Sequence, residues 1–391
     1  MNILLLAPHP FYQERGTPIA VDLLLRVLSQ RGHRVDVVTF HEGEQRSYPN
    51  VAIHRIRNLR WIRGIRPGFS WKKIVCDFFL LVKALQLAAR NEYQIVHAVE
   101  ESAFMALLLR VFYRIPYIFD MDSSMPAQLV EQHPSLTAAA PLMKFFEGRI
   151  ARSAFAVIAV CDALAEIARG HGTQRVFVLR DVSLLSPHDV AATPRNINVE
   201  HPCLMYIGNL EKYQGIELLL ESFSILVKSF PKAFLAIIGG NKETISQYEK
   251  KVIELGIAGR VNFFGPRPLS DMAGLFAHAD VLVSPRIKGT NTPMKIYSYL
   301  ESGKPLLATD LPTHTQALDG SSALLAEPTP EKFAAGMLAL LNNPDLCRRL
   351  AEHALFVAQE RHSFRAFTAM LDQIYAQIEN DLSGSINPAS L

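Results

Sequence analysis

The sequence predicts an α/β protein built from two doubly wound, Rossmann-like domains, and three observations carry that expectation. At 391 residues the chain is too long for one ordinary hydrophobic core. Short apolar runs that end on Gly, Pro or polar residues alternate with helical patterns along nearly its whole length, as parallel strands joined by crossover helices do. A polar stretch with three prolines, 186–202, divides two such series and reads as a linker. Domains are therefore expected at 1–190 and 200–360. Helical patterns over 330–359 and 364–378 close the chain, with a frayed tail from 381.

In the first half, the run ILLLA at 3–7, bounded by Pro8, suits a fully buried parallel strand. A polar loop leads through Gly16 to Thr17-Pro18, a hydroxyl cap before a first-turn proline, and a helix over 19–30. The strand at 34–40 completes a βαβ unit. No G-x-G-x-x-G occurs, so a dinucleotide fingerprint is excluded, although a glycine at 16 still lets a ligand approach the backbone. Residues 93–98 form a strand ending on His97. Residues 116–120 form another ending on Asp120, with Asp122 just beyond. Carboxylates at the carboxyl end of a parallel strand are candidate bases, and capping of the following helix is the equal alternative. Strands at 156–159 and 176–179 complete the sheet.

Within this half, 55–73 holds seven Arg or Lys and no acid, with Trp61, Phe69 and Trp71 interleaved. One reading is a solvated basic loop ahead of a core helix over 74–90. The other is an interfacial patch of Arg60, Trp61, Arg63, Arg66 and Trp71, where each cation near an anionic leaflet gains about 1 kcal/mol. An acidic or lipid-phosphate substrate would use the same residues.

In the second half, strands are expected at 203–208, 234–238, 261–264, 281–283 and 306–309, with helices over 216–230 and 269–278. Their loops hold Gly208-Asn209, Lys212 and Gly239-Gly240. The loop after 283 carries Arg286, Lys288, Thr290 and Asn291. Thr292-Pro293 then repeats the cap-and-proline signal, opening a helix over 294–302 that stops at Gly303. A strand-end loop feeding a helix amino end is a ready anion site. A plain structural unit with a solvated Arg and Lys is the competing reading.

Composition narrows the class further. The formal net charge is +3, with 22 Lys+Arg against 17 Asp+Glu over 1–190 and 18 against 20 in the remainder. That excludes a generic nucleic-acid binder and puts a basic surface in the first half. Four isolated cysteines without C-x-x-C indicate a reducing compartment. The amino terminus lacks a basic region, and no stretch approaches the roughly 20 apolar residues of a membrane span. The expected location is cytoplasmic, with the patch at the inner face of the cytoplasmic membrane.

Taken in order, RGTPIAVDLLLRVLSQRGHRVDVVT, YQIVHA, IPYIFDMD, YIGNLEKYQGIELLLESF, FLAIIGG, VNFFGPRPLSDMAGLFAHADVLVSP and TPMKIYSYLESGKPLLATDLPTH resemble the retaining glycosyltransferases of the GT-B type, family 4. The resemblance covers nearly the whole chain. It implies two Rossmann-like domains facing a cleft, with the last helix, about 361–380, packing back on the first. It implies a nucleotide-sugar donor of UDP or GDP type on the second domain and a glycan or lipid-linked acceptor on the first. No cofactor, metal or nucleic acid is called for. Many members are peripheral membrane proteins of cell-envelope glycan synthesis, which suits the basic aromatic patch.

The sequence also departs from that family. Its pattern has a Glu, seven residues, then a second Glu five residues before the glycine of Gly-Lys-Pro. Here those positions are Thr290 and Ser298. In the family the first contacts the transferred sugar and the second the ribose. Glu301, three residues on, is a candidate substitute. Gln214 stands where a basic residue is usual, with Lys212 close by, and Asp122 stands where an acceptor-side His is usual. The resemblance makes Asp122 a catalytic candidate, and Lys295, in the first turn of the helix expected to face the departing diphosphate, is the other. The donor-side candidates are Gly16, Gly208, Asn209, Lys212, Gly240, Arg286, Lys288, Thr290, Asn291, Thr292, Pro293, Ser298 and Glu301. The missing glutamate pair keeps a second expectation open: a relative that binds nucleotide or glycan without catalysis.

Overall fold

The computed structural model describes residues 1–65, 70–126, 134–185 and 197–385. The chain divides into two compact units, Met1–Arg180 with Thr368–Leu391, and Asp181–Phe367.

The first unit is built on a seven-stranded parallel sheet: β1 (Asn2–Ala7), β2 (Arg34–Thr39), β3 (Val51–Arg55), β4 (Ile95–Val99), β5 (Tyr117–Met121), β6 (Ala156–Ala159) and β7 (Val176–Val178). Its order is β3-β2-β1-β4-β5-β6-β7. Helices α1 (Gly16–Gln30), α2 (Trp71–Ala88), α3 (Ser102–Tyr113), α4 (Ala140–Ser153) and α5 (Asp162–Gly170) connect the strands. β1 lies between β2 and β4, its Leu4 opposite Asp36 on one side and Val96 on the other. Ile3 through Ala7 are wholly buried. Each such leucine contributes about 1.5–3 kcal/mol.

Two helix starts differ from expectation. α1 begins at Gly16 with Arg15 as its extended cap residue, so Thr17 lies inside the helix and caps nothing. α2 begins at Trp71, because Ser70 accepts the amide of Lys73 through its hydroxyl (3.3 Å). Trp71 and Lys73 are therefore helical residues rather than loop residues.

The second unit carries β8 (Cys203–Ile207), β9 (Phe234–Ile238), β10 (Val261–Gly265), β11 (Val281–Ser284), β12 (Leu306–Thr309) and β13 (Leu324–Ala326), ordered β10-β9-β8-β11-β12-β13 and parallel throughout. Its helices are α6 (Ile216–Ser229), α7 (Lys242–Glu254), α8 (Met272–Ala277), α9 (Lys295–Glu301), α10 (Pro312–Thr315), α11 (Pro330–Asn342) and α12 (Pro344–Arg361). β8 shows why the sheet is covered on both faces. Leu204 and Tyr206 enter one core with Phe223 and Phe333, whereas Cys203 and Met205 enter another with Ile296 and Tyr299. The helical stretch expected over 330–359 is two helices. Asn343 breaks it by accepting the Leu346 amide (3.0 Å), and Pro344 opens the second.

The last helix, α13 (Phe364–Ser385), belongs to the first unit from Thr368 onward. Arg31 grips Asp372 (2.9 Å) and Glu379 (3.0 Å), and the Tyr375 hydroxyl lies 2.7 Å from His97 Nδ1. Arg175 pairs with Asp381 (2.8 Å), so the segment expected to fray is helical through Ser385. Arg66, Phe69 and most of the expected linker, 186–196, lie outside the described residues.

Each sheet reverses its strand order once, between β1 and β4 and between β8 and β11. Connections leave those neighbours in opposite directions, which opens a crevice at their carboxyl ends.

Candidate functional site

In the second unit the loops after β8 and β11 meet at that reversal point, and glycine makes the meeting feasible. A Cβ on Gly215 (φ +74°) would lie 1.9 Å from the carbonyl oxygen of Pro285. The short 3₁₀ turn Lys212–Gln214 is thereby pressed against the loop after β11, and the Ile287 amide donates to Tyr213 (3.0 Å). On the other side of β8, the loop after β9 comes as close: a Cβ on Gly239 (φ +113°) would lie 2.0 Å from the Gly208 carbonyl oxygen.

Lys295 crosses into this junction. Its ammonium donates to Gln214 Oε1 (3.1 Å) and sits over the Tyr206 ring, 3.9 Å from the centroid. It would be 3.1 Å from a Cβ on Gly208. The residue as a whole is half-buried, but its charged end is enclosed. No carboxylate among the described residues partners it. Burial first, and then the charge of Arg286, hold its proton affinity well below that of an ordinary lysine. Arg286 is itself buried, donating to the Lys288 carbonyl (2.6 Å) and to Asn291 Oδ1 (3.0 Å). Two cations thus share one wall.

The other donor-side candidates divide into three groups. Asn209, Lys212, Lys288 and Thr290 are exposed at the rim. Gly240 (φ +79°) packs on Leu210, where a Cβ would come within 2.4 Å of Leu210 Cδ1. Thr292 is buried, and its hydroxyl has no hydrogen-bond partner among the described residues. It does not cap the helix. α9 has only seven residues and starts at Lys295, after a tight turn in which the Ile296 amide donates to Pro293 (2.9 Å). The positive character here comes from the Lys295 ammonium, not from a long helix end. Ser298 is 0% exposed and accepts the Leu184 amide (3.0 Å), so its hydroxyl serves the chain's own backbone. Glu301 ends α9, half-buried.

In the first unit, Gly16 faces open space, with nothing within 4 Å of an added Cβ. Asp122 lies half-buried just past β5. The densest chemistry lies elsewhere, at the carboxyl ends of β1 and β4, on residues the sequence reading passed over. Lys73 pairs with Glu101 (2.5 Å), and Ser123 lies 3.5 Å from Glu100 Oε1. Burial, followed by the charge of Glu101, pushes Glu100 up to about 7 and Asp77 up to about 8. Burial pushes His9 down to about 3. The available signals were a Glu-Glu pair directly after a strand and a Lys and Asp one helical turn apart, neither of them distinctive alone.

The basic patch is larger than expected. Trp61 (63% exposed) stacks on Trp71 (58%) at 6.0 Å and 14°, with Arg60 and Arg63 exposed around them. Twelve of the sixteen exposed large hydrophobics among the described residues lie between 61 and 146. They include Ile74 and Phe78 on α2, Val111 and Phe112 on α3, and Leu142 and Phe145 on α4. α3 touches both other helices. Of the acids on these helices, Glu147 is buried against Ser124 and Asp77 is half-buried, so Lys144, Arg149 and Arg110 dominate the exposed charge. No helix among the described residues is long and apolar enough to cross a membrane.

The model of glycosyl transferases group 1 matches residues 191–355, and that of glycosyltransferase family 4 matches residues 15–180. A D-inositol 3-phosphate glycosyltransferase of Corynebacterium glutamicum is 26% identical over 207 residues, covering 50% of this chain and 49% of that protein. The chain therefore spans about half the length of the first curated relatives it matches. Two solved structures share the fold. Sucrose-phosphate synthase from Thermosynechococcus elongatus has TM-score 0.79 at 19% identity, covering 97% of this chain and 99% of that one. Anabaena HepE, in complex with UDP and glucose, has TM-score 0.73 at 17% identity, covering 96% and 99%. The two family models together reach across both units, and the chain belongs to the glycosyltransferases of group 1 and family 4, with a two-domain, Rossmann-like GT-B fold.

Proposed function

We propose that the chain transfers a sugar, with retention, from a nucleotide-sugar donor of UDP or GDP type bound on the second unit to a hydroxyl of a glycan or lipid-linked acceptor. The observation that carries this is the enclosed Lys295 ammonium, set beside the Gly208 loop and Arg286 with no carboxylate partner among the described residues. A buried cation without a counter-charge is strongly unfavourable, so an anion belongs beside it. A sugar-linked diphosphate is such an anion, and its charge grows as the sugar departs, when a fixed cation stabilises it most. The ammonium touches Gln214, the position where the family's usual basic residue is missing, so another element supplies the charge to that place. The UDP in the HepE structure favours UDP within the type.

UDP at a hundredfold over its dissociation constant should stabilise the protein by about 2.7 kcal/mol. A melting curve unmoved by any nucleoside diphosphate or sugar nucleotide would remove the donor assignment. A relative that binds without catalysis would show the shift but release no sugar, so sugar release is measured beside it.

The acceptor reading draws on the basic apolar face, which suits an anionic leaflet carrying lipid-linked substrates. Replacing Arg60, Arg63 and Arg66 with Ser should weaken sedimentation with phosphatidylglycerol vesicles, most at low salt, where screening is least. Equal pelleting of mutant and parent would return the patch to a solvated loop.

A further inference from the structure

We propose that His314, with Thr313 and Gln316 beside it, is a positioning residue for the donor's diphosphate. It holds the loop after β11 in the shape that presents Arg286 and the amides of Asn291 and Thr292. The proposal rests on the donor reading above and deepens it, because none of the three holding side chains is asked to touch the nucleotide.

A buried polar cluster sits at the carboxyl ends of β11 and β12. Ser284, Thr309 and His314 are wholly buried, and Thr313 is nearly so. Such groups persist in a core where they satisfy one another. His314 Nε2 lies 2.9 Å from Ser284 Oγ. Its Nδ1 lies 2.9 Å from Thr309 Oγ1 and 3.0 Å from the Thr309 carbonyl oxygen. The Thr309 hydroxyl has one proton, and it donates that proton to the Arg286 carbonyl (2.5 Å). Both atoms facing Nδ1 are therefore acceptors, so Nδ1 carries the ring proton and Nε2 accepts from Ser284. Burial, with the charges of Lys295 and Arg286 adding to it, pushes the imidazole down to about 3, and the ring is neutral. One ring thus ties the last residue of β11 to the last residue of β12, and it orients the hydroxyl that fixes Arg286.

The following residues grip the same loop twice more. Thr313 Oγ1, on α10, donates to the Asn291 carbonyl (2.7 Å), and Gln316 Nε2, just past α10, donates to the Thr290 carbonyl (2.8 Å). Arg286 closes the loop from within through its bonds to Lys288 and Asn291. Gly289 (φ +118°) leaves room for that closure, since a Cβ there would lie 2.0 Å from Arg286 Nη2.

Carbonyl direction sets amide direction, because in a trans peptide the C=O and the following N–H point opposite ways. Drawing the Thr290 and Asn291 carbonyls toward α10 turns the amides of Asn291 and Thr292 away from it. The Ile287 amide, opposite the pinned Arg286 carbonyl, follows the same rule and donates to Tyr213 (3.0 Å). The Thr292 hydroxyl is buried and has no partner among the described residues. Two adjacent amides, an arginine and an unengaged hydroxyl on one short loop suit the oxygens of a diphosphate. The loop is neither helix nor strand, so its shape depends on these side-chain grips. Donors held fixed before charge develops are the ones that stabilise it.

Calorimetry with UDP, glucose release from UDP-glucose and melting curves provide the test. His314→Ala should weaken UDP binding about tenfold and slow glucose release about tenfold further, since fixed geometry counts most once the leaving diphosphate gains charge. His314→Asn places an amide nitrogen near the Nδ1 position, so it should restore the bond to Thr309 and return UDP affinity to within about threefold of the parent. His314→Gln reaches toward Ser284 instead and should not restore it. Phe333→Leu, in the core of the same unit, should lower melting as His314→Ala does and keep the parent's UDP affinity. Thr313→Val keeps its shape and loses one grip; it should weaken UDP about threefold, and it carries the test where His314→Ala does not fold. Parent-like UDP affinity in both His314→Ala and Thr313→Val overturns the proposal while the donor reading stands. So does a loss of affinity in Phe333→Leu equal to that in His314→Ala, which would make the effect one of stability. A parent that binds neither UDP nor GDP removes the donor reading and the positioning role together.

Discussion

Lys295→Met should separate stability from function in one substitution. UDP affinity should fall about a hundredfold and turnover by about 10²–10³, the usual consequence of losing a fixed charge aimed at a developing anion. The unliganded protein should become more stable, by about 1 kcal/mol, because an enclosed, unpartnered ammonium is replaced by an apolar chain of similar length against Tyr206. The pH dependence fixes the sign. The folded proton affinity of Lys295 is depressed, so below that depressed value the fold carries a charge it disfavours. Parent stability should therefore climb as pH rises from that depressed value toward the ordinary lysine range, and the Met variant should lose the climb. Calorimetry with UDP and melting curves against pH check both halves. Parent-like affinity and melting would mean that the phosphates lie nearer Lys212 or Arg286.

Gly215→Ala should be the most damaging small change in the second unit. The new methyl would lie 1.9 Å from the Pro285 carbonyl, on a backbone already at φ +74°. Strain and collision together should remove about 3 kcal/mol, roughly 6–12 °C in melting for a unit of this size. The turn bearing Gln214 would be pushed off Lys295, so nucleotide affinity should fall as well. Gly256→Ala supplies the control: its φ is +69°, but a Cβ there meets nothing within 4 Å, so strain alone applies, about 1 kcal/mol. Equal melting of the two variants would show that the Gly215–Pro285 approach does not tie the loops together.

What could be read from the sequence follows what each residue's role depends on. β1, β8 and β9 are buried on both faces and announce themselves as apolar runs. β3 and β13 are half-exposed edge strands, the first mixed in character and the second only three residues long, and leave no such mark. α3 is nearly apolar throughout, SAFMALLLRVFY, so no helical period shows. Thr292-Pro293 looked like a helix start because cap chemistry is local. The chain keeps the tight turn but begins the helix one residue later, and it draws Ser298 onto Leu184 through packing that no spacing encodes. The partnership of Lys295 with Gln214 spans 81 positions, and the cluster around Lys73 joins α2 to the segments after β1 and β4. Glycines and cations were legible as types; which of them meet is decided by strand order.

The apolar, basic face of α2, α3 and α4 has one more consequence, for how the protein behaves in the tube. Attraction to an anionic surface fades as salt is added, whereas the tendency of bare Phe112 and Phe145 faces to find one another does not, and excluded salts such as sulfate strengthen it. Ionic strength therefore pulls the two fates of this surface apart. If the proposed attraction holds, a preparation in dilute buffer should co-purify with lipid, and the same preparation in ammonium sulfate should self-associate. A condition that suppresses both holds moderate salt and a mild detergent occupying the place of the bilayer.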